Sequence, residues 1–200
     1  MYRAEEGRET ARAGTGSDYD AFLCTCGIRL QLEALSDSNR LRVEELVQRT
    51  NQLNFSGTHY SREQLRAVLE QPGVEPVVMR ATDKFGDYGI IGFAILARNQ
   101  REVVVRDMMF SCRIQGKKID LAFLDWVAGL AGRENRVIVR CVYRETQRNK
   151  PAGEVLLQAG FGKTGPEAFE LEAGAWRRHD LPVRVEAVMQ GLSLSRAVVV

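Results

Sequence analysis

The sequence predicts an α/β domain whose mixed, mostly antiparallel central sheet is flanked by helices. Three observations predict it. Residues 76–82, 88–97 and 101–110 are rich in Val, Ile, Met and Phe and are separated by the turn Asp83-Lys84-Phe85-Gly86-Asp87 and by Asn99, the pattern of a strand meander. At Ile119 the apolar period changes, and Ile119, Phe123, Trp126, Val127 and Leu130 fall at helical spacing. A further apolar run, RVIVRCV at 136–142, follows that helix, and a meander, a helix and another strand make a mixed sheet.

Before the meander, the charged residues 1–12 are expected to form a short exposed helix or lead-in, broken at 14–17. Residues 18–26 form a second helical candidate with Tyr19, Phe22 and Leu23 on its apolar side, stopped by Gly27. Asp18-Tyr19-Asp20 has the spacing of an Asp-x-Asp nucleophile pair, but no apolar strand precedes it, so it reads as the polar start of that helix. Residues 28–35 alternate as a half-buried strand does. Asp37 or Ser38 is expected to cap a helix over 39–50. Ser61 with Gln64 forms a capping box for a helix over 62–70, which Pro72-Gly73 stops. Gly89 and Gly92 weaken the middle of the 88–97 strand. Pro151 suits the first turn of a helix reaching residue 159, and strands are expected at 168–172 and 183–188. No repeat or low-complexity linker divides the chain. One domain over 28–175 is expected, with a helical lead-in at 1–27 and an extension at 176–200.

With 200 residues, 44% hydrophobic and 27% charged, the chain can bury a core. The net charge of +2 and the interleaving of arginines with acids argue against a nucleic-acid binder. No apolar run approaches the ~20 residues of a membrane span, and no signal-peptide core is present, so a cytoplasmic protein is expected. The cysteines Cys24, Cys26, Cys112 and Cys141, with only His59 and His179, suit neither a disulfide framework nor a metal site.

The chemistry is expected where the strand ending at Phe110 feeds the helix at Ile119 through Cys112-Arg113-Ile114-Gln115-Gly116-Lys117-Lys118. A strand entering a helix through a Gly-containing turn leaves helical N–H groups that favour an anion, and two lysines add charge. An ordinary turn with solvated lysines is the alternative. The run Arg113-x-x-Gly116-x-Lys118 resembles the acyl-CoA loop of the GNAT acyltransferases, Gln/Arg-x-x-Gly-x-Gly/Ala, with Lys118 where the family has a small residue. The resemblance implies that the loop amides, from Arg113 through Ile114, Gln115, Gly116 and Lys117 to Lys118, hold the pyrophosphate of acetyl-CoA or acyl-CoA. It further implies that Met108, Met109 and Phe110 form a splayed strand receiving the pantetheine arm, with Asn149 also on the cofactor.

Three blocks, VEELVQRTNQLNFSGTHYS, DKFGDYGIIGFAIL and MMFSCRIQGKKID, followed by NKPAGEVLLQAGF, are similar to the C-terminal GNAT-like region of FkbH-like proteins, from the first residues to about Phe161. That family joins a phosphatase-like HAD domain to this region. It is associated with loading a glyceryl unit onto an acyl carrier protein for polyketide extender units. The resemblance implies an acyl carrier protein as partner, its phosphopantetheine arm as a possible cofactor, and an HAD-type domain beside it. The HAD half is absent from these residues, so Met1 is expected to be an internal residue of a longer protein or the start of a trimmed gene.

A GNAT transfer also uses an acid for the departing thiolate, commonly a Tyr on the helix before Gly160-Phe161; that position is Leu156, which cannot donate a proton. Tyr143 is the nearest replacement, with packing as the alternative. Cys112, beside Arg113 and a helix start, could hold an acyl group as a thiolate would, or could simply be a small apolar filler. Gln48, Asn51, Gln52 and Asn54 suit an acceptor or acyl-group pocket, or turn and cap hydrogen bonding. His59 is a candidate base or a solvated loop residue, and Asp83 and Asp87 are turn formers. The expected function is a GNAT-type acyltransferase that binds a pantetheine thioester. The alternatives are a catalytically silent docking module for acyl carrier protein beside an HAD partner, and a protein N-acetyltransferase.

Overall fold

Asp18 starts the first helix, α1 (Tyr19–Cys26), by accepting the N–H groups of Asp20 and Ala21 on its carboxylate at 3.0 and 3.1 Å, which satisfies donors that a helix start leaves unpaired. The computed structural model describes residues 18–188, so the helix expected over 1–12 lies outside the described residues. β1 (Ile28–Ala34) follows, with Ile28, Leu30 and Leu32 buried. α2 (Asp37–Arg49) starts earlier than expected because Ser36, not Asp37 or Ser38, is the cap. Asn39 turns back to accept the Ser36 N–H at 2.8 Å and donates to the Ala34 carbonyl at 3.0 Å. α3 (Arg62–Leu69) carries the expected capping box: Ser61 Oγ accepts the Gln64 N–H at 3.2 Å and Gln64 Oε1 accepts the Ser61 N–H at 2.9 Å.

β2 (Val74–Asp83), β3 (Gly86–Arg98) and β4 (Glu102–Phe110) form the antiparallel meander. α4 (Ile119–Arg133) crosses over to β5 (Ile138–Val142), and α5 (Lys150–Gln158) leads to β6 (Gly162–Gly165), β7 (Ala168–Glu172) and β8 (Val183–Val188). The result is one eight-stranded sheet in the order β6-β7-β5-β4-β3-β2-β1-β8. It is mixed because β4 and β5, joined by a helix as parallel neighbours must be, and β1 and β8 run parallel. β6 lacks apolar alternation and exists as the edge partner of β7, so periodicity does not reveal it. At the chain ends, α1 buries Phe22, Leu23 and Cys26, and β8 pairs with β1 from Ile28↔Val183 to Glu33↔Val188.

Both sheet faces are covered. Val43, Leu46, Val47 and Leu65 of α2 and α3 pack on Val78, Phe93, Ile95 and Met109. On the opposite face Phe22, Phe123 and Leu156 of α1, α4 and α5 pack with Leu30, Met108 and Phe110. Two-sided burial is why the central strands read as near-continuous apolar runs.

One irregularity positions the site. Opposite β3, Asp107 pairs with Ile95 and Val105 with Leu96, leaving Arg106 as an extra residue, a β-bulge. β4 pairs with β5 only from Glu102↔Ile138 to Val105↔Cys141. Past the bulge, β4 runs on to Phe110 with its far edge open to some other partner.

Candidate functional site

That partner is the chain itself. Residues 53–55, between α2 and α3, lie along the β4 edge: the Phe55 N–H donates to the Met108 carbonyl at 3.0 Å and the Phe110 N–H to the Leu53 carbonyl at 2.9 Å, with Asn54 bridging antiparallel to Met109. On the other side the Arg144 N–H donates to the Phe55 carbonyl at 3.0 Å, and Asn149 Nδ2 donates to the Asn54 carbonyl at 2.8 Å. Leu53, Asn54 and Phe55 are buried, and the Phe55 ring meets Phe110 edge-on at 6.5 Å. The strand expected to receive a pantetheine arm, Met108 to Phe110, thus has its free edge hydrogen-bonded to residues 53–55.

Asp107 and Asn149 fasten this insert. Asp107 Oδ2 accepts from Ser56 Oγ at 2.8 Å and from Tyr60 Oη at 2.7 Å, while Oδ1 accepts the Met108 N–H at 2.8 Å. Burial pushes the Asp107 carboxyl above its ordinary range despite these donors. The Tyr60 hydroxyl is likewise raised, by burial and by the neighbouring carboxylate. Sequence reasoning passed over Asp107, Ser56 and Tyr60; the available signal was an Asp inside the apolar run VVVRDMMF, which needs buried partners. Asn149 is fully buried, donating also to the Arg144 carbonyl at 2.9 Å and accepting the Thr146 N–H at 2.7 Å.

In the loop after β4, the N–H groups of Ile114, Gln115 and Lys117 make turn bonds to the Ser111, Cys112 and Ile114 carbonyls. The Leu121 N–H donates to Asp120 Oδ1 at 2.9 Å, so part of the expected anion cradle is satisfied internally. Arg113 reaches back to β3, donating to the Tyr88 carbonyl at 2.9 Å and the Ile90 carbonyl at 3.3 Å. Lys117 Nζ donates to the Arg113 carbonyl at 2.9 Å. Gly116 (φ 75°) and Lys118 (φ 57°) both adopt the left-handed region, the physical reason a small residue suits that third anchor. Lys118 Nζ pairs with Asp20 Oδ2 at 2.6 Å, and the Tyr19 hydroxyl stands 3.7 Å from where a Gly116 Cβ would be. α1 therefore lies across the loop, with a carboxylate against its lysine.

Beside residues 53–55 opens a polar cleft of about 320 Å³. Asn51, Asn54, Gly57 and His59 form one wall, and Thr146, Gln147 and Arg148 form the other. Gln48 and Gln52, grouped with Asn51 and Asn54 in the sequence, are exposed and do not line it.

No protein-family model matches the chain, and no curated protein matches it in sequence. Solved structures do match in shape. Spermidine N-acetyltransferase from Vibrio cholerae, in complex with CoA and spermine, shares 14% identity at a TM-score of 0.56, over 72% of this chain and 96% of that one. The ribosomal-protein-S18-alanine N-acetyltransferase of Escherichia coli shares 14% at 0.53, over 72% and 94%. The aminoglycoside acetyltransferase AAC(6')-Ib in complex with coenzyme A shares 13% at 0.52, over the same shares of each chain. The chain has the GNAT acetyltransferase fold. At such identities the likeness is one of fold.

Within this GNAT fold, Leu156 is fully buried under α5. Tyr143 is 4% exposed, stacks edge-on to Phe169 at 5.5 Å and reaches the Asn149 carbonyl at 3.5 Å. Its hydroxyl would stand 2.8 Å from a Cβ on Gly153, so α5 seats on the ring only because residue 153 is glycine. Burial, then Glu145 and Glu154, raise the Tyr143 hydroxyl above its ordinary value. Cys112 is exposed at the start of a short 3-10 turn and does not line the cleft, whereas Cys141 is buried within β5, where burial pushes its thiol far up. Asp83 behaves as a turn former, its Oδ1 accepting the N–H groups of Phe85 and Gly86. Among the described residues no group of three His, Cys, Asp or Glu could hold a metal, and no helix is long and apolar enough to cross a membrane.

Proposed function

We propose that this chain is a GNAT-fold module that docks an acyl carrier protein and is silent as an acetyl-CoA-dependent transferase, serving an HAD-type partner in polyketide extender-unit biosynthesis in the cytoplasm. The observation that carries the silent half is the saturated β4 edge: Met108 and Phe110 spend on residues 53–55 the hydrogen bonds that a pantetheine arm would need. Leu156 at the acid position agrees with it. The carrier-protein half rests on the FkbH-like blocks at 43–61, 83–96, 108–120 and 149–161.

A second reading, acyl transfer from a pantetheine thioester, is favoured by Gly116 in a left-handed turn directly ahead of α4 and by CoA in a structure of like fold. In that reading residues 53–55 leave the edge when the thioester enters, the loop from Arg113 to Lys118 with Asn149 holds the cofactor, and Cys112 or Tyr143 serves the chemistry. Calorimetric titration separates the two. Docking predicts saturable heat with a carrier protein bearing its arm and none with acetyl-CoA. Saturable acetyl-CoA binding that Gly116→Asp abolishes, by adding bulk and negative charge, would overturn it in favour of transfer.

A further inference from the structure

Two helix starts meet at the loop after β4, and they are finished differently. α1 is capped by Asp18, whose carboxylate accepts two of its N–H groups. The cap position of α4 is Lys118, a side chain with donors only, and it makes no side-chain hydrogen bond to the helix. Asp120 takes the Leu121 N–H, while the N–H groups of Gly116, Lys118 and Ile119 have no acceptor among the described residues. What faces this donor-rich junction is a carboxylate from 98 positions away in the chain: Asp20 Oδ2 accepts from Lys118 Nζ at 2.6 Å. Beside it, the Tyr19 hydroxyl stands 3.7 Å from where a Gly116 Cβ would be. The first turn of α1 therefore brings a negative charge and a ring to the place where the loop would take an anion.

The two turns of α1 are held unequally. The second belongs to the core: Phe22, Leu23 and Cys26 are buried, and the Lys84 N–H donates to the Cys26 carbonyl at 3.0 Å. In the first, Asp18, Asp20 and Ala21 are exposed and Tyr19 is half-buried. The Asp20 side chain is 61% exposed and that of Lys118 30%, so their ion pair is screened by solvent and is a weak fastening. A helix end held in this way opens at lower cost than the packed turn behind it. An anion of more than one charge would also attract Lys118 more strongly than a single carboxylate does.

We propose that the first turn of α1 is a built-in plug: Asp20 occupies, as an internal anion, the place on the loop that an external polyanion takes when the turn swings away. The inference rests on the loop being an anion site, as the transfer reading has it, and does not depend on what fills the β4 edge.

Inorganic pyrophosphate, which carries charge and no pantetheine arm, tests it by heteronuclear NMR on the full chain at low salt. Pyrophosphate should give saturable shifts at the N–H groups of Gly116, Lys118 and Ile119. Asp20→Asn, at an exposed position, should bind it roughly fivefold more tightly than the wild type. Tyr19→Ala, which removes the cover without changing the charge, should bind it severalfold more tightly, and the amides of β1 should stay in place in both variants. Equal affinity in the wild type and both variants would leave the loop an anion site and overturn the plug. A gain in Asp20→Asn alone would reduce the effect to charge repulsion and overturn it as well. No saturable shift in any of the three would overturn the anion reading of the loop, and the plug with it.

Discussion

The β4 edge and the cleft beside it share Asn54 and differ in how far their polar groups are satisfied. At the edge, the Asn54 carbonyl is held by Asn149 and its backbone neighbours pair with Met108 and Phe110. In the cleft, the side-chain oxygen of the same residue has no partner. A saturated edge behaves as fold, whereas a buried oxygen without a partner is a local cost that the surrounding packing carries. The difference teaches that a slot familiar from one fold can be filled by the chain itself.

The sharpest way to break this contrast is Phe55→Ala. If residues 53–55 are part of the fold, removing a ring that is 1% exposed should cost about 3–5 kcal/mol, read by urea denaturation. A loss below about 1 kcal/mol would mean that the segment is a displaceable cover, and the transfer reading would gain.

A smaller effect should come from Asp107→Asn. The Asp107 carboxyl is raised by burial, so the native state holds its proton more readily than the unfolded chain does. Its contribution to stability is present below the ordinary carboxylate range and is lost as pH rises through the raised native value. Asp120 shifts in the same direction, so the informative quantity is the difference in Tm between wild type and variant. That difference should fall, in favour of the variant, as pH rises from about 4 toward 7. A difference independent of pH would show that Asp107 anchors residues 53–60 without a perturbed carboxyl.

The smallest expected change is from Lys118→Gly, which restores the small third anchor of the loop. Relief of a left-handed lysine gains about 1 kcal/mol, and loss of the partly exposed pair with Asp20 removes up to about 1 kcal/mol, so Tm should barely move. Acetyl-CoA should still fail to bind, because the β4 edge remains filled. Saturable binding by this variant would relocate the obstruction from the edge to the loop.

Much of the architecture was legible locally. The capping box at Ser61 and Gln64, the strand at 168–172 and the helix beginning at Ile119 each announce themselves within a few residues, because capping and amphipathic periodicity are short-range effects. β6 was not, since an edge strand of Gly, Lys and Thr has no buried face to impose alternation. The pocket group was half legible: Asn51 and Asn54 line the cleft, while Gln48 and Gln52, spaced much like them in sequence, face elsewhere. Asp107 was visible only as an anomaly, because its partners Ser56 and Tyr60 come from a loop 51 and 47 residues away.

By itself, the sequence determined the order of helices and strands apart from β6, the helices that flank the sheet and the Gly-containing turn ahead of α4, all of which follow from composition and spacing over a turn or two. Only the tertiary structure decided what lies along the last residues of β4. Backbone N–H and C=O groups are the same in every residue, so their pairing leaves no mark in the side-chain pattern. The contact that closes the edge joins Asn54 to Asn149, 95 positions apart. Which of two amides stays unsatisfied is settled by where the chain brings its partners.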